Sequence, residues 1–242
     1  MQLYDASASR FLSAPAPLRF GLYATACAGS DESVYCFGGI FFNRQPAQVG
    51  FRYRMKTNAW TAIPLDEGRP FGIFARFAMA VYAANQIHVL GGVQTARRHV
   101  VFDIDSGLWS EREESDDIFR RGSAAGVISE GCAQQIVVFP ANMVYDLSQP
   151  DPKWTPIAFP HAPPAVPTWN MASAASDYAL NRVVFASYDT VLQYQPASLA
   201  CRTALSRGQD VTSTVCRAAA GPCDAADFWT ADCNCPDLFN PC

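Results

Sequence analysis

The sequence predicts an all-β protein assembled from repeated four-stranded antiparallel sheets, and three recurring landmarks carry that expectation. The first is an aromatic residue, often followed by Asp, at Tyr4-Asp5, Tyr53, Phe102-Asp103, Tyr145-Asp146 and Tyr194, with intervals of 49, 49, 43 and 49 residues. A second follows it at Phe11, Trp60, Trp109, Trp154 and Cys201; four of these gaps are 7 residues and that from Tyr145 to Trp154 is 9. The third precedes them, an apolar run ending in small residues: VYCFGG (34–39), IHVLGG (87–92), IVVFPA (136–141) and VVFAS (183–187). A period of this length is the mark of a repeat architecture, in which each unit leans on its neighbours to bury its faces.

Composition agrees with a packed, loop-rich β protein. Of 242 residues, 50% are hydrophobic and 17% charged, with 17 Pro, 15 Gly, 16 Phe, 9 Tyr and 5 Trp. That is ample material for a core, with turn formers to punctuate it, and it argues against disorder. Eighteen basic against 22 acidic residues, a net charge of −4, leave no electrostatic footprint for a nucleic-acid partner. No apolar run approaches the ~18–20 residues that cross a bilayer, so no membrane span is expected. The start, MQLYDASASR, has neither a basic head nor an apolar stretch, so no signal peptide is visible. The chain is accordingly expected to be a mature product or the ordered part of something longer.

The elements follow in order. Residues 1–17 hold only the Tyr4 and Phe11 landmarks and read as the third and fourth strands of a unit. Four complete units follow, at about 18–65, 66–116, 117–160 and 161–205. In the first, Cys27 and Cys36 lie on strands joined by the Gly29-Ser30-Asp31-Glu32 turn, close enough to bridge, which leaves Cys132 unpaired. In the second, FAMAVYA (77–83) and QIHVLGG (86–92) flank Ala84-Asn85, while RHVVFDI (98–104) and LWSER (108–112) flank the turn Asp105-Ser106-Gly107. The Trp at the start of each fourth strand is bulky enough to fill the wedge between adjacent sheets, so Trp60 and Trp109 are expected to be largely buried.

Taken together, Gly38-Gly39 with Tyr53 and Trp60, and Gly91-Gly92 with Phe102, Asp103 and Trp109, resemble the Kelch repeat. The turn Lys56-Thr57-Asn58-Ala59 before Trp60 is similar to that family's as well. The third copy departs with Phe139-Pro140 and the fourth with Phe185-Ala186 where Gly-Gly is expected; Cys201 stands where the fourth Trp would be. The resemblance spans residues 1–205 and implies a β-propeller whose blades are these units. Closure as five blades would need two strands from the carboxy-terminal segment to join the opening pair. There VTSTVC (211–216) is the plausible strand.

Six of nine cysteines crowd the end of the chain: Cys201, Cys216, Cys223, Cys233, Cys235 and Cys242. Residues 206–242 are read as a separate, disulfide-stapled tail, and such a framework points to an extracellular or secretory-pathway setting. Zinc is disfavoured, because none of the three histidines lies there and the pairs are not spaced as zinc ligands. Bridges are the physical means of ordering so short a segment. The single residue between Cys233 and Cys235 is similar to the hallmark of epidermal-growth-factor-like modules. That resemblance implies Cys201–Cys223, Cys216–Cys233 and Cys235–Cys242, although spacing alone leaves all fifteen pairings open.

Chemistry is sparse. Of His88, His99 and His161, the first sits in an apolar strand and reads as structural, and the last lies in the Pro-rich FPHAPPAVP connector. A copper site like that of galactose-oxidase-like propellers would need nearly all of them. The segment DIDSGLW (103–109) is similar to the Asp-box turn of sialidase propellers without its leading Ser. No nucleophile elbow, phosphate loop or zinc-protease helix is present, so no catalytic residue, metal or cofactor is assigned. The run Glu111 to Asp117 lacks the alternation of a calcium loop and reads as a solvated connector.

The resulting expectation is a non-enzymatic extracellular module that binds protein or carbohydrate, or assembles with itself. Its rivals are a glycan-acting propeller enzyme and an intracellular Kelch adaptor. The binding face is expected where second strands pass to third strands: Phe41, Phe42 and Arg44 after the first Gly-Gly, and Arg97 and Arg98 after the second. Aromatic and Arg side chains at loop tips are common binding anchors.

Overall fold

The second and third blades are each packed between two others, and that is why their strands read as apolar runs and not as an apolar–polar alternation. The protein is described from a computed structural model covering residues 4–5, 10–11, 21–47, 49–64, 76–93, 95–115, 119, 123–130, 133–157, 173–177, 182–186 and 191–194. The chain opens with an antiparallel pair, β1 (Tyr4–Asp5) and β2 (Arg10–Phe11). A second short pair joins β3 (Leu22–Tyr23) to β6 (Ile40–Phe41). Between and after them, β4 (Ala26–Gly29), β5 (Ser33–Phe37), β7 (Val49–Arg54) and β8 (Ala59–Pro64) form the first blade in that order.

The second blade is β9 (Met79–Ala83), β10 (Gln86–Leu90), β11 (His99–Asp103) and β12 (Trp109–Glu111). The third is β13 (Ala124–Glu130), β14 (Ala133–Phe139), β15 (Met143–Asp146) and β16 (Trp154–Pro156). The fourth shows three strands, β17 (Ser173–Asp177), β18 (Arg182–Ala186) and β19 (Val191–Tyr194). The first strands β4, β9, β13 and β17 neighbour one another in series. They converge on a channel of about 210 Å³, lined by Cys27, Gly29, Ala80, Ala125, Gly126 and Ser176 among others. Sheets radiating from such an axis make a β-propeller, with four blades among the described residues. The five-blade closure expected from the sequence draws on residues 206–242, which lie outside the described residues.

The registers explain the sequence landmarks. Tyr53 stands opposite Trp60, Phe102 opposite Trp109, and Tyr145 opposite Trp154, while the opening pair sets Tyr4 opposite Phe11. The constant gap is therefore a cross-strand aromatic pair on the outer hairpin of each blade, with ring centroids 5.0–5.2 Å apart in the three Trp-bearing blades. The Asp after the aromatic residue holds the intervening turn. Asp103 Oδ1 accepts from the Ser106 N–H and hydroxyl, both at 2.8 Å, and Asp146 Oδ1 does the same for Ser148 at 3.0 and 2.6 Å. These bonds hold the Asp103 carboxyl below its ordinary pKa.

Between blades one and two, Phe37 meets Trp109 edge-on at 4.8 Å and Phe102 at 5.4 Å, over Ala26, Ala28, Ile87 and Val89. Between two and three, Met79, Val81 and Leu90 face Ile136, Val138, Tyr145 and Trp154. Between three and four, Ile128, Val137 and Phe139 face Val183 and Phe185. Each Trp leans on the blade before its own, which corrects one expectation. Trp109 is buried at 6% exposure, but Trp60 is only half-buried. Trp60 stands with Tyr53 and Val34 on the face of blade one opposite to the one that Tyr35 and Phe37 turn towards blade two.

The Gly-Gly doublets are backbone requirements. Gly38, Gly39, Gly91 and Gly92 all have positive φ, from 64° to 109°. At Gly91 an added Cβ would lie 2.6 Å from the Phe119 Cβ, and at Gly39 it would lie 2.7 Å from the Tyr23 carbonyl oxygen. Gly91→Ala is expected to cost about 1–3 kcal/mol from backbone strain and overpacking. Chemical denaturation of the two proteins side by side measures it, and an unchanged midpoint would contradict the account.

Candidate binding face

The two loops singled out in the sequence both connect second to third strands, so they emerge at the same end of their blades. They differ in how much they offer to solvent. In the first, Ile40 and Phe41 form β6 and pair with Tyr23 and Leu22, so Ile40 is buried and Phe41 half-buried. Phe41 is thus a packing residue and not part of an open tip. Beyond it Phe42 is 78% exposed, Arg44 is exposed with φ of 66°, and Asn43 closes the turn by accepting from the Gln45 N–H at 3.0 Å. The Phe42 ring stacks on Tyr23, centroids 6.4 Å apart and planes 23° from parallel, and Tyr23 is itself 42% exposed. Phe42 also lies over Gly21, where a Cβ would overlap its ring. Tyr23 was not legible as a site residue, because only the β3–β6 pairing brings it beside Phe42.

The second loop is braced. Arg97 is exposed, but its carbonyl accepts from the Ser115 N–H at 3.0 Å, and the neighbouring Ala96 carbonyl accepts from Phe119 N–H at 2.7 Å. Arg98 is half-buried and reaches Glu111 at 3.8 Å. The stretch Glu111 to Glu114 is solvent-exposed as expected of a connector, yet Ser115 and Phe119, each 1% exposed, pin it across this loop. Arg98 therefore shares its surroundings with an acidic side chain, while the Arg97 backbone is held by Ser115. Phe42 and Arg44 do not share that bracing, and the two loops are unequal.

Cys27 and Cys36 are disulfide-bonded, as their strand positions suggested. Cys132, Cys201, Cys216, Cys223, Cys233, Cys235 and Cys242 lie outside the described residues, as does the tail they belong to. No group of three His, Cys, Asp or Glu side chains converges as a metal site among the described residues. Among the same residues no helix is long and apolar enough to cross a membrane.

One buried polar pair was not legible. His88 and His99, 0% and 1% exposed, hydrogen-bond to each other through Nδ1 and Nε2 at 2.9 Å. They sit diagonally on β10 and β11, on the face that meets blade three, and His99 packs edge-on against Tyr145 at 4.7 Å. Burial first, then the nearby Arg112 guanidinium, lowers the His88 pKa to about 4. Burial, His88 and Arg112 hold His99 well below its ordinary value. The sequence placed His88 in an apolar strand correctly, but only the register shows its partner.

No protein-family model matches this chain, and no curated protein sequence matches it. Among solved structures, that of YjhT superposes with a TM-score of 0.50 at 20% identity, covering 68% of this chain and 58% of that one. The chain spans little more than half the length of that relative. At such identity the likeness is one of fold alone. Because 163 solved chains match, and superfolds host unrelated functions, the propeller by itself assigns no activity.

Proposed function

We propose that the protein is a non-enzymatic, extracellular binding module that engages its partner through the rim built by Tyr23, Phe42 and Arg44. One observation carries this reading: Phe42, 78% exposed, stacks on a half-exposed Tyr23 beside an exposed Arg44. A large aromatic ring left in water on a rigid loop is costly unless a partner covers it, and Tyr, Phe and Arg are the side chains over-represented at interface centres. The partner this composition suits best is a protein, with carbohydrate as the alternative the test discriminates. The Gly-Gly, aromatic and Trp landmarks support reading the blades as Kelch-type. The cysteine spacing supports a stapled, epidermal-growth-factor-like tail and hence the secretory pathway. Arg98, paired with Glu111, and Arg97, on the braced loop, take a peripheral part.

The immobilised protein would be screened against a displayed peptide library and a glycan array. The double variant Phe42→Ala with Arg44→Ala should lose the selected ligands by about 2 kcal/mol or more, as expected for anchor residues. Its thermal midpoint should stay unchanged, because both side chains are exposed. Retention of every ligand by a stably folded double variant removes this rim from consideration. Turnover of any arrayed glycan by the wild-type chain would replace the binding reading with the enzymatic one.

A further inference from the structure

The channel mouth carries a disulfide whose placement suits exchange better than bracing. Cys27 on β4 and Cys36 on β5 face each other directly in register, with Cα atoms 4.1 Å apart and a sequence separation of 9. The strands they join are already locked by the Ala26–Phe37 to Gly29–Val34 ladder and by the turn in which Ser30 N–H donates to the Ser33 carbonyl at 2.8 Å. A bridge over so short a loop restrains the unfolded chain less than a long-range bridge would.

Its exposure is uneven. Cys36 is 5% exposed, whereas Cys27 is solvent-exposed and lines the central channel together with Gly29, Ala80, Ala125 and Ser176. Because β4 is the innermost strand and β5 lies outside it, Cys27 is the half of the bridge nearer the channel. Thiolates attack disulfides in line with the bond they break, so the open approach leads to Cys27 with Cys36 as the leaving group. Six of the other ten lining residues are Ala or Gly, among them the adjacent Ala28 and Gly29, which leaves room for an incoming sulfur.

We infer that Cys27–Cys36 is a thiol–disulfide exchange site, reduced by dithiols that enter through the channel and bond first to Cys27. One thiolate of the dithiol attacks Cys27 Sγ, the Sγ–Sγ bond breaks, and its electron pair leaves on Cys36, which takes up a proton. The second thiol of the reagent then attacks its own sulfur in the mixed disulfide, releasing Cys27 as a thiol. The reagent is oxidised to a disulfide and the protein gains two thiols.

The test uses the native full-length chain and dithiothreitol without denaturant, with timed alkylation and peptide mapping of the residue 27 and 36 peptides. Both cysteines should become alkylatable while the thermal midpoint falls by only a few degrees. The single variants Cys36→Ser and Cys27→Ser, exposed to oxidised glutathione, fix the direction. The remaining Cys27 should form the mixed disulfide faster than the remaining Cys36 by on the order of tenfold or more, following access. Resistance of the bridge until denaturant is added overturns the inference, as does equal or inverted reactivity of the two single variants.

Discussion

Replacing Trp109 with alanine is expected to lower the unfolding free energy by about 3–5 kcal/mol, the range for deleting a large aromatic side chain from a packed interior. Trp109 is 6% exposed and fills the wedge between the first two blades, with ring contacts to Phe37 at 4.8 Å and Phe102 at 5.0 Å. Removing it leaves a cavity bounded by Tyr35, Phe37 and Phe102, rigid groups on two different sheets that cannot both move inward. Trp60→Ala is the informative companion. It holds the same place in the repeat, opposite Tyr53 at 5.2 Å, but is only half-buried, so its loss should cost distinctly less. Denaturant titration of both variants measures the contrast. Equal losses would show that position in the repeat, and not the covering blade, sets the energy.

That contrast indicates what the sequence could and could not convey. The spacing of Tyr53 and Trp60, Phe102 and Trp109, and Tyr145 and Trp154 was legible because a cross-strand pair on a short hairpin ties two residues at a fixed separation. The Gly-Gly doublets were legible because positive φ at two successive positions, in each of two blades, leaves few residue choices. Local rules of this kind place strands, turns and even the Cys27–Cys36 bridge. They do not report which blade covers which face, so the half-exposure of Trp60 could not be read from its landmark.

The binding face shows the same division. Phe42 and Arg44 were identifiable as loop-tip residues from the run after Gly38-Gly39. The demotion of Phe41 depends on β6 pairing with β3, two residues against two, a contact too short to leave a periodic trace. The restraint on Arg97 and Arg98 comes from Ser115 and Phe119, which sit in a stretch that reads as a plain acidic connector. In each case the missing information was a backbone hydrogen bond between segments, and such bonds carry almost no residue signature.

Acidification is expected to destabilise the protein well before its carboxylates titrate, through the His88–His99 pair. In the unfolded chain both imidazoles protonate near the ordinary value of 6.5, whereas in the fold His88 resists protonation down to about 4 and His99 is also held well below 6.5. Between these limits unfolding takes up protons, so the stability present above pH 6.5 is lost as the pH falls towards 4. At about 1.4 kcal/mol per pH unit for each group, His88 alone accounts for a loss of about 3 kcal/mol across the window. Asp103 and Asp146 are held below 3.8 and lose their contributions only at lower pH, so the two effects separate. The cause is structural: the 2.9 Å bond needs one imidazole nitrogen to donate and the other to accept, and the pair is closed in by Tyr145 and Trp154. A second proton on either ring would place a charged imidazolium in this buried site beside the Arg112 guanidinium. Changing both residues, His88→Leu with His99→Leu, removes donor and acceptor together and should flatten the pH 4–6.5 limb while keeping most neutral-pH stability. The single change His88→Leu instead strands His99 in an apolar wedge and should cost about 1–3 kcal/mol at neutral pH. Thermal midpoints of the three proteins from pH 4 to 8 decide the matter: an acid limb that persists unchanged in the double variant would place the proton uptake elsewhere.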